Sequence, residues 1–407
     1  MNRRDFLAGV GALAASTQIS RKLEPQQFGS NLGSCQVAAY YFANFHQDER
    51  NIKVHGPNWT EWNLVKAATP RFPGHRQPRI PLWGYEDEAD PRVFEKKIAA
   101  ASANKINAFI FDWYWYQDGP FLESALNGGY LRASNNKELK FGVMWANHDW
   151  YNIQPAKMAS PPPLQFAGAI GAEAFDAMVE RLLQLFQHPS YLLVDGCPYF
   201  SIYELYRFVQ GFGGVTDAAR ALGKMRAKAR AVGFANIHVN AVTWGVKLLP
   251  GQSEIANLPE LLDRLQVDST TSYVWIHHAQ FSKTFTTEYR DIRDQYEIYR
   301  ATAAKTLGRP YFPNVTVGWD STPRTCQTDN FRLGEYPFTS VIVDNTPEAF
   351  RAALESARTF AVANLPPDRR IITLNSWNEW TEGSYLEPDT MNGMAYLNAV
   401  RDVFKRI

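Results

Sequence analysis

Eight apolar, β-branched or aromatic runs, separated by helical patterns or long loops, constrain this chain of 407 residues more than any other feature. The runs occupy residues 36–45, 107–115, 140–148, 199–204, 236–244, 268–273, 311–319 and 370–377, and residues 191–194 could pair with the fourth run. Helical patterns occupy residues 92–104, 172–187, 217–232, 258–265, 287–307, 347–364 and 393–406. Strands that alternate with helices predict parallel β-α-β units. Eight such units predict a closed (β/α)8 barrel of the TIM type in a single α/β domain.

A doubly wound open sheet is the alternative architecture. Such a sheet normally carries a glycine-rich phosphate loop after its first strand. Here residues 40–46 read Tyr-Tyr-Phe-Ala-Asn-Phe-His, which contains no glycine. The sequence therefore favours the barrel.

The predicted strands end in aromatic and polar residues, and in a (β/α)8 barrel the carboxyl ends of the strands form the active-site face. Rings with carboxylates around one rim are suited to sugars, because Trp and Tyr present flat apolar faces with a polar edge. Some of these rings are expected to be core residues instead, since buried aromatics are common. The candidate substrate-binding residues are Tyr41, Trp59, Glu61, Trp113, Trp145, Asn147, Asp149, Trp244, Tyr273, Trp319, Asp320 and Trp380.

Two long insertions fall on the same face of the predicted barrel. The first joins the first and second strands and includes Trp59 and Glu61. A structureless loop of this length inside a compact domain is more often functional than idle, so we expect it to form a lid or wall of the cleft. The second insertion, residues 152–171, contains three consecutive prolines and is expected to be a surface loop.

Charge and composition narrow the classes of partner. The formal net charge of +1 gives no reason to expect a nucleic-acid partner. The 12 Trp, 19 Tyr and 25 Phe favour a carbohydrate partner, although large cores also collect aromatics. Three scattered cysteines form neither a disulfide framework nor a zinc motif. We expect no metal and no cofactor, and the sequence leaves the oligomeric state open.

The first 34 residues are expected to lie outside the fold. Arg3 and Arg4 precede Phe-Leu and a short, weakly apolar run with small residues, which is typical of a twin-arginine export signal. The run is too short to span a bilayer. The sequence therefore predicts a signal and tail over residues 1–34, a catalytic domain over residues 35–407, and a periplasmic or secreted bacterial protein.

Two glutamates directly after the eighth predicted strand are the strongest catalytic candidates. Residues 377–383 read Trp-Asn-Glu-Trp-Thr-Glu-Gly, which places Glu379 and Glu382 three residues apart. In a helical turn this spacing brings two side chains to the same side. Glycoside cleavage needs one carboxylic acid and one carboxylate, and like charges in a cleft walled by Trp377 and Trp380 would separate the two pKa values.

These residues carry a resemblance to a known family. Residues 375–389, together with Tyr40-Tyr41, residues 59–62, 74–78, 112–115 and 145–147, resemble the glycoside hydrolase family 99-like group, which includes the WbsX-like domain. The resemblance spans roughly residues 36–405 and implies a (β/α)8 barrel. It further implies that Glu379 acts as a base on the sugar 2-hydroxyl, with an anhydrosugar intermediate and net retention, and that Glu382 acts as general acid and then base. Thr381 stands where the family 99 mannosidases carry histidine.

Three functions remain open at this point. The first is a glycoside hydrolase that acts on a poly- or oligosaccharide, with Glu379 and Glu382 as its acid/base pair. The second is a glycosyltransferase of polysaccharide biosynthesis, a label attached to the WbsX-like group. Export and the missing phosphate loop argue against a nucleotide-sugar donor. The third is a carbohydrate-binding barrel without catalysis, against which the presence of both glutamates counts.

Overall fold

The computed structural model describes residues 34–245 and 255–405. Eight positions around the barrel are filled by parallel strands. These are β1 (Gln36–Phe42), β2 (Ala108–Tyr116), β3 (Lys140–Trp145), β4 (Cys197–Ile202), β5 (His238–Val242), β6 (Ser269–Thr271), β7 (Tyr311–Phe312 and Asn314–Thr316) and β8 (Ile371–Asn375). The predicted export signal falls almost entirely on residues 1–33, which lie outside the described residues.

The strands pair in chain order and confirm the predicted barrel. β1 pairs with β2 and with β8, and each strand from β2 to β6 pairs in parallel with the next. β7 is split at Pro313, which has no backbone N–H to donate to a ladder. Its first half pairs with β6 and its second half with β8, so the two halves together close the ring. A short strand, Leu193–Val194, pairs antiparallel with β4, as the sequence predicts.

Ten α-helices occur in the described part of the chain. They are α1 (Glu49–His55), α2 (Trp62–Ala67), α3 (Pro91–Ala103), α4 (Ala172–Phe186), α5 (Leu205–Gly211), α6 (Val215–Ala231), α7 (Leu258–Arg264), α8 (Tyr289–Thr306), α9 (Pro347–Asn364) and α10 (Ala395–Phe404). The seven predicted helices are α3, α4 and α6–α10, with ends within two residues of the expected positions. Thr346 caps α9 by accepting from the backbone N–H of Ala349, and Pro347 follows at the first helical position.

The insertion between β1 and β2 corrects one expectation, because it is not structureless. It contains α1 and α2. Asp48 caps α1 by accepting from the Arg50 backbone N–H, and Trp62 and Leu64 of α2 are buried. Short helices of this kind lack the long amphipathic period that identified the other helices. The second insertion contains a short strand, Leu164–Phe166, that pairs antiparallel with Trp150–Tyr151 just before the insertion.

Many of the aromatic residues form the core rather than a rim. The rings of Tyr41 and Phe111 lie 4.8 Å apart between β1 and β2, and the rings of Phe109 and Trp377 lie 4.9 Å apart. Aromatic pairs at this separation contribute packing beyond their buried area. The three cysteines are free and partly buried. Within the described ranges, every helix is too short or too polar to cross a lipid bilayer.

Candidate active site

The carboxyl ends of the strands surround a cavity that, with the solvent at its mouth, encloses about 670 Å³. Aromatic rings and ionisable groups share its wall. The lining residues are Phe42, Asp112, Tyr114, Met144, Ala146, His148, Asp149, Trp150, Tyr151, Ile153, Gln154, Tyr203, Tyr273, Val274, His277, Arg324, Tyr336, Glu379 and Glu382.

The two glutamates reach this cavity from a tight hairpin that follows β8. Glu379 pairs with Ser384 across the hairpin, and a 3-10 turn over Trp380–Glu382 carries the second glutamate. In a 3-10 turn, side chains three residues apart eclipse one another. The Ser376 hydroxyl accepts the backbone N–H of Glu379 at 2.8 Å. Both glutamates therefore line the same cavity, although both side chains are almost fully buried.

Gly383 closes the hairpin in the left-handed region, with φ +62°. A Cβ at this position would lie 2.7 Å from the Cβ of Asp320. Gly393 provides a matched control, because its φ is +52° and a Cβ there would meet nothing within 4 Å. Gly393→Ala therefore reports the backbone cost alone, about 1–2 kcal/mol.

We expect Gly383→Ala to lower the free energy of unfolding by at least about 1 kcal/mol more than Gly393→Ala, since overpacking adds to the backbone cost. Urea unfolding of the two variants measures the difference. Equal losses would show that the contact with Asp320 does not constrain the hairpin.

A buried arginine bridges the two glutamates. Arg324 lies at the end of a 3-10 turn, Thr322–Arg324, in the loop after β7. Its Nη1 donates to Glu382 Oε1 at 2.5 Å, and its Nη2 donates to Glu379 Oε2 at 3.2 Å. The Tyr336 hydroxyl also donates to Glu382 Oε1, at 2.7 Å, and contacts the guanidinium. Hydrogen bonds of this charge-assisted kind are among the stronger ones in proteins.

The same arginine also binds a third glutamate. Arg324 Nε donates to Glu61 Oε1 at 3.0 Å and to the Thr381 hydroxyl oxygen at 2.9 Å. Thr381 in turn donates to Glu61 Oε1 at 2.7 Å. Asn44 donates to the other oxygen of Glu61 at 2.5 Å. Glu61 therefore holds Arg324 from behind and does not line the cavity.

The environments of the two catalytic candidates differ. Burial raises the pKa of Glu379 well above its ordinary range, and the neighbouring Glu382 charge raises it further, against the opposing effect of Arg324. Burial also raises the pKa of Glu382, but Arg324 and the Tyr336 hydroxyl oppose that rise. Because Glu382 accepts two close donors, its ionised form is the better stabilised of the two.

A tyrosine and an aspartate complete the polar side of the cavity. The Tyr273 hydroxyl lies 2.7 Å from Asp112 Oδ2 and 3.0 Å from Glu379 Oε1. Burial lowers the pKa of His148 to about 4 and that of His277 to about 3. The imidazoles of His148 and His277 are therefore neutral at pH 7. They add hydrogen-bonding groups to the cavity without adding charge.

The comparisons with known proteins begin with a family model described as Glycosyltransferase WbsX, which matches residues 37–400. The chain belongs to the WbsX family. It is 27% identical over 374 residues to the uncharacterized protein WxcX of two strains of Xanthomonas campestris pv. campestris, covering 91% of this chain. The chain spans about half the length of the curated relatives it matches.

Solved structures with the same fold include glycoside hydrolases. A glycoside hydrolase-like protein superposes with a TM-score of 0.58 at 14% identity, over 92% of this chain and 95% of the other. The family 99 endo-α-mannosidase from Bacteroides thetaiotaomicron superposes with a TM-score of 0.56 at 14% identity, over 91% and 96%. The same enzyme in complex with Bis-Tris propane gives 0.58 at 13% identity, over 91% and 96%. At such identities the likeness shows the barrel fold of this WbsX chain.

Of the residues predicted from the sequence, four line the cavity. Glu379, Glu382 and Tyr273 meet on one side, and Asp149 lies on the wall formed with the second insertion. Asp149 Oδ2 accepts from Arg207 at 2.6 Å, and its Oδ1 accepts the backbone N–H of Gly168 at 2.9 Å. Asp149 therefore anchors that insertion at the edge of the cavity.

The tryptophans beside the glutamates correct another expectation, because they do not wall the cleft. The indole N–H groups of Trp377 and Trp380 donate to the two oxygens of Glu387 at 2.8 and 2.7 Å. Both rings are completely buried. Lys97 forms ion pairs with Glu387 and Glu88 at 2.7 Å each. The tryptophans thus fix the hairpin from the side facing away from the cavity.

Other predicted contacts are also placed in the interior. Tyr41 donates to Glu88 at 2.7 Å, Trp113 donates to Glu123 at 2.9 Å, and Trp145 donates to the Trp115 carbonyl at 3.1 Å. Each of these three side chains makes an internal hydrogen bond, which is the usual arrangement for the polar atom of a core aromatic. The predicted substrate contacts at Tyr41, Trp113 and Trp145 are therefore not supported by their positions.

The positions of four further residues, all in loops, also do not support the predicted substrate contacts. Asn147 exchanges hydrogen bonds with the backbone of Glu204, and Trp319 donates to Thr339 at 2.8 Å. Trp59 stacks on a histidine of α1, with ring centroids 4.1 Å apart. Asp320 accepts from Gln77 at 2.7 Å and pairs with His75 at 2.8 Å, which links the first insertion to the loop after β7.

Trp244 is an intermediate case. Its ring packs 5.2 Å from Tyr203 and 5.6 Å from His277, both of which line the cavity, but Trp244 does not line it itself.

Arg324, Asp112 and Tyr336 were missed by the sequence argument. Arg324 and Glu61 are 263 residues apart, so no local spacing could reveal their contact. Asp112 was visible as a carboxylate at a strand end, the same signal that selected Asp149.

Proposed function

We propose that this WbsX-family chain is a glycoside hydrolase that cleaves a poly- or oligosaccharide with Glu379 and Glu382. The observation that carries the proposal is the pair of buried carboxyl groups, bridged by Arg324, at the wall of a cavity that also presents several aromatic rings. Glycosidic cleavage needs one protonated and one ionised carboxyl group on either side of the scissile bond. Family membership and the shared barrel fold support a substrate built of sugars.

The charges around the cavity favour hydrolysis over transfer from a nucleotide sugar. Four carboxyl side chains, those of Asp112, Asp149, Glu379 and Glu382, line the wall. The guanidinium of Arg324 is already occupied by three glutamates. Among the described residues of the wall, a diphosphate would meet carboxylate repulsion and neither a free cation nor a glycine-rich loop. The transferase named by the family description is the second candidate, and donor-dependent chain extension would identify it.

We assign the roles from the hydrogen bonds. Because Arg324 and Tyr336 stabilise the ionised form of Glu382, we propose that Glu382 is the carboxylate that assists at the anomeric centre. Glu379, with the stronger rise in pKa, then protonates the leaving oxygen. This order is the reverse of the one that the family 99 resemblance implies. Retention of the anomeric configuration is expected under the resemblance, and NMR of the fresh product measures it.

Leaving-group dependence tests this assignment. An acid catalyst matters least when the leaving group needs no proton. On synthetic glycosides of the sugar released by the wild-type enzyme, Glu379→Gln is expected to retain at least about tenfold more activity with a dinitrophenolate leaving group than with an alkoxide leaving group, relative to wild type. Glu382→Gln should show equal losses on both. The opposite pattern would restore the roles implied by the resemblance.

A further inference from the structure

The Tyr273 hydroxyl stands between two buried carboxyl groups. It is 2.7 Å from Asp112 Oδ2 and 3.0 Å from Glu379 Oε1. A phenol carries one proton, whereas an ionised carboxylate can only accept a hydrogen bond. One hydroxyl proton cannot satisfy two carboxylates at once. Two good hydrogen bonds therefore require a second proton, held by Asp112 or by Glu379.

The surroundings give both carboxyl groups a reason to keep that proton. Asp112 and Glu379 are each 3% exposed. Asp112 lines the cavity, and its buried Oδ1 has no hydrogen-bond partner in the described part of the chain. Burial raises the pKa of Asp112 well above its ordinary range. Isolated carboxylates are costly in such surroundings unless they are paired.

The other titratable groups near Asp112 and Glu379 are Arg324, Glu61, Glu382 and Tyr114. Arg324, from the loop after β7, lies 3.2 Å from the second oxygen of Glu379. Its charge is divided among Glu61, Glu379 and Glu382. Tyr114 of β2 is also buried; burial raises its pKa most, and the charges of Asp112 and Glu379 raise it further. One guanidinium facing four carboxyl groups does not neutralise them all, so proton retention remains favourable.

We propose that Asp112 is a positioning residue that shares one proton with Glu379 through the Tyr273 hydroxyl. The transfer is balanced. Glu379 gives its proton to the Tyr273 oxygen while Tyr273 gives its own proton to Asp112 Oδ2, and the reverse movement restores Glu379. The net change moves one proton between two carboxyl groups and leaves the total charge unchanged. Resting on the proposed function, the shared proton passes to Glu379 before Glu379 protonates the leaving oxygen, and the water consumed in hydrolysis supplies the proton that restores the pair.

Carbon-13 NMR of the full chain, labelled at the aspartate and glutamate carboxyl carbons, tests the proposal without a substrate. The Asp112→Asn and Glu379→Gln variants assign the two signals. In the wild-type protein at pH 7, the pair is expected to hold one proton. In Asp112→Asn the negative charge at this position is removed, and the amide N–H can donate to the Tyr273 oxygen while Tyr273 donates to Glu379. The Glu379 pKa is therefore expected to fall by at least about one unit, a tenfold change in proton affinity.

Asp118→Asn is the matched control, because Asp118 is exposed and pairs with Arg50 away from the cavity. It should leave the Glu379 titration unchanged. Two ionised carboxylates in the wild type at pH 7 would overturn the proposal. This measurement uses the variants only to assign the Asp112 and Glu379 signals. An unchanged Glu379 titration in Asp112→Asn would also overturn it. If no sugar is cleaved by the wild type, the proposed function fails while the titration still decides the shared proton.

Discussion

Glutamine at position 379 or 382 is expected to lower glycoside turnover by about 10²–10⁴-fold, the contribution of a positioned acid or base. The amide matches the carboxyl group in size and can still accept from Arg324, so the barrel is expected to remain folded. Reducing-end release from a panel of oligosaccharides and polysaccharides, compared with wild type, measures the loss. Thermal unfolding of the same samples verifies that the variants are folded.

Glu355→Gln is the control for this experiment, because Glu355 lies on the exposed face of α9 and pairs only with Arg351 among the described residues. It should leave turnover unchanged. Turnover that survives in both Glu379→Gln and Glu382→Gln would contradict the assignment of these glutamates as the catalytic pair. Sugar binding by the wild type without any turnover would instead favour a binding barrel.

Removing the guanidinium of Arg324 is expected to produce the largest loss of stability. Arg324→Met leaves Glu61, Glu379 and Glu382 buried without their shared partner. Breaking a buried ion pair from one side typically costs about 3–5 kcal/mol, because the remaining charge is uncompensated. Urea unfolding at pH 7 measures this loss. Turnover is expected to fall with it, since Arg324 separates the protonation states of the two catalytic candidates.

The loss in Arg324→Met should shrink as the pH falls. Without the guanidinium, burial raises the folded-state pKa of these carboxyls above the unfolded value, so the unfavourable charge develops as pH rises and disappears on protonation. Arg92→Ala provides the control, because the Arg92 side chain is 84% exposed. If Arg324→Met were as stable and as active as the wild type, the role of Arg324 as the bridge between the glutamates would be contradicted.

The chain order of the elements was determined by sequence alone. Periodicity located the eight strand positions and seven helices, because strands and long amphipathic helices bury side chains at different periods. It also placed Glu379 and Glu382 at the end of the eighth strand, where a barrel forms its active-site face. The short helices α1 and α2 escaped detection, since six or seven residues do not establish a helical period.

Tertiary structure decided which of the candidate side chains meet. Trp377 and Trp380 resemble cleft residues in the sequence, but their indole N–H groups are satisfied by Glu387, which turns both rings away from the cavity. Arg324 joins Glu61 to the catalytic candidates across 263 residues. A position at the end of a strand predicts that a residue lies at the active-site face of the barrel. It does not predict the direction in which the side chain points. That direction depends on the partner that satisfies its polar atoms, and barrel closure supplies those partners from distant parts of the chain.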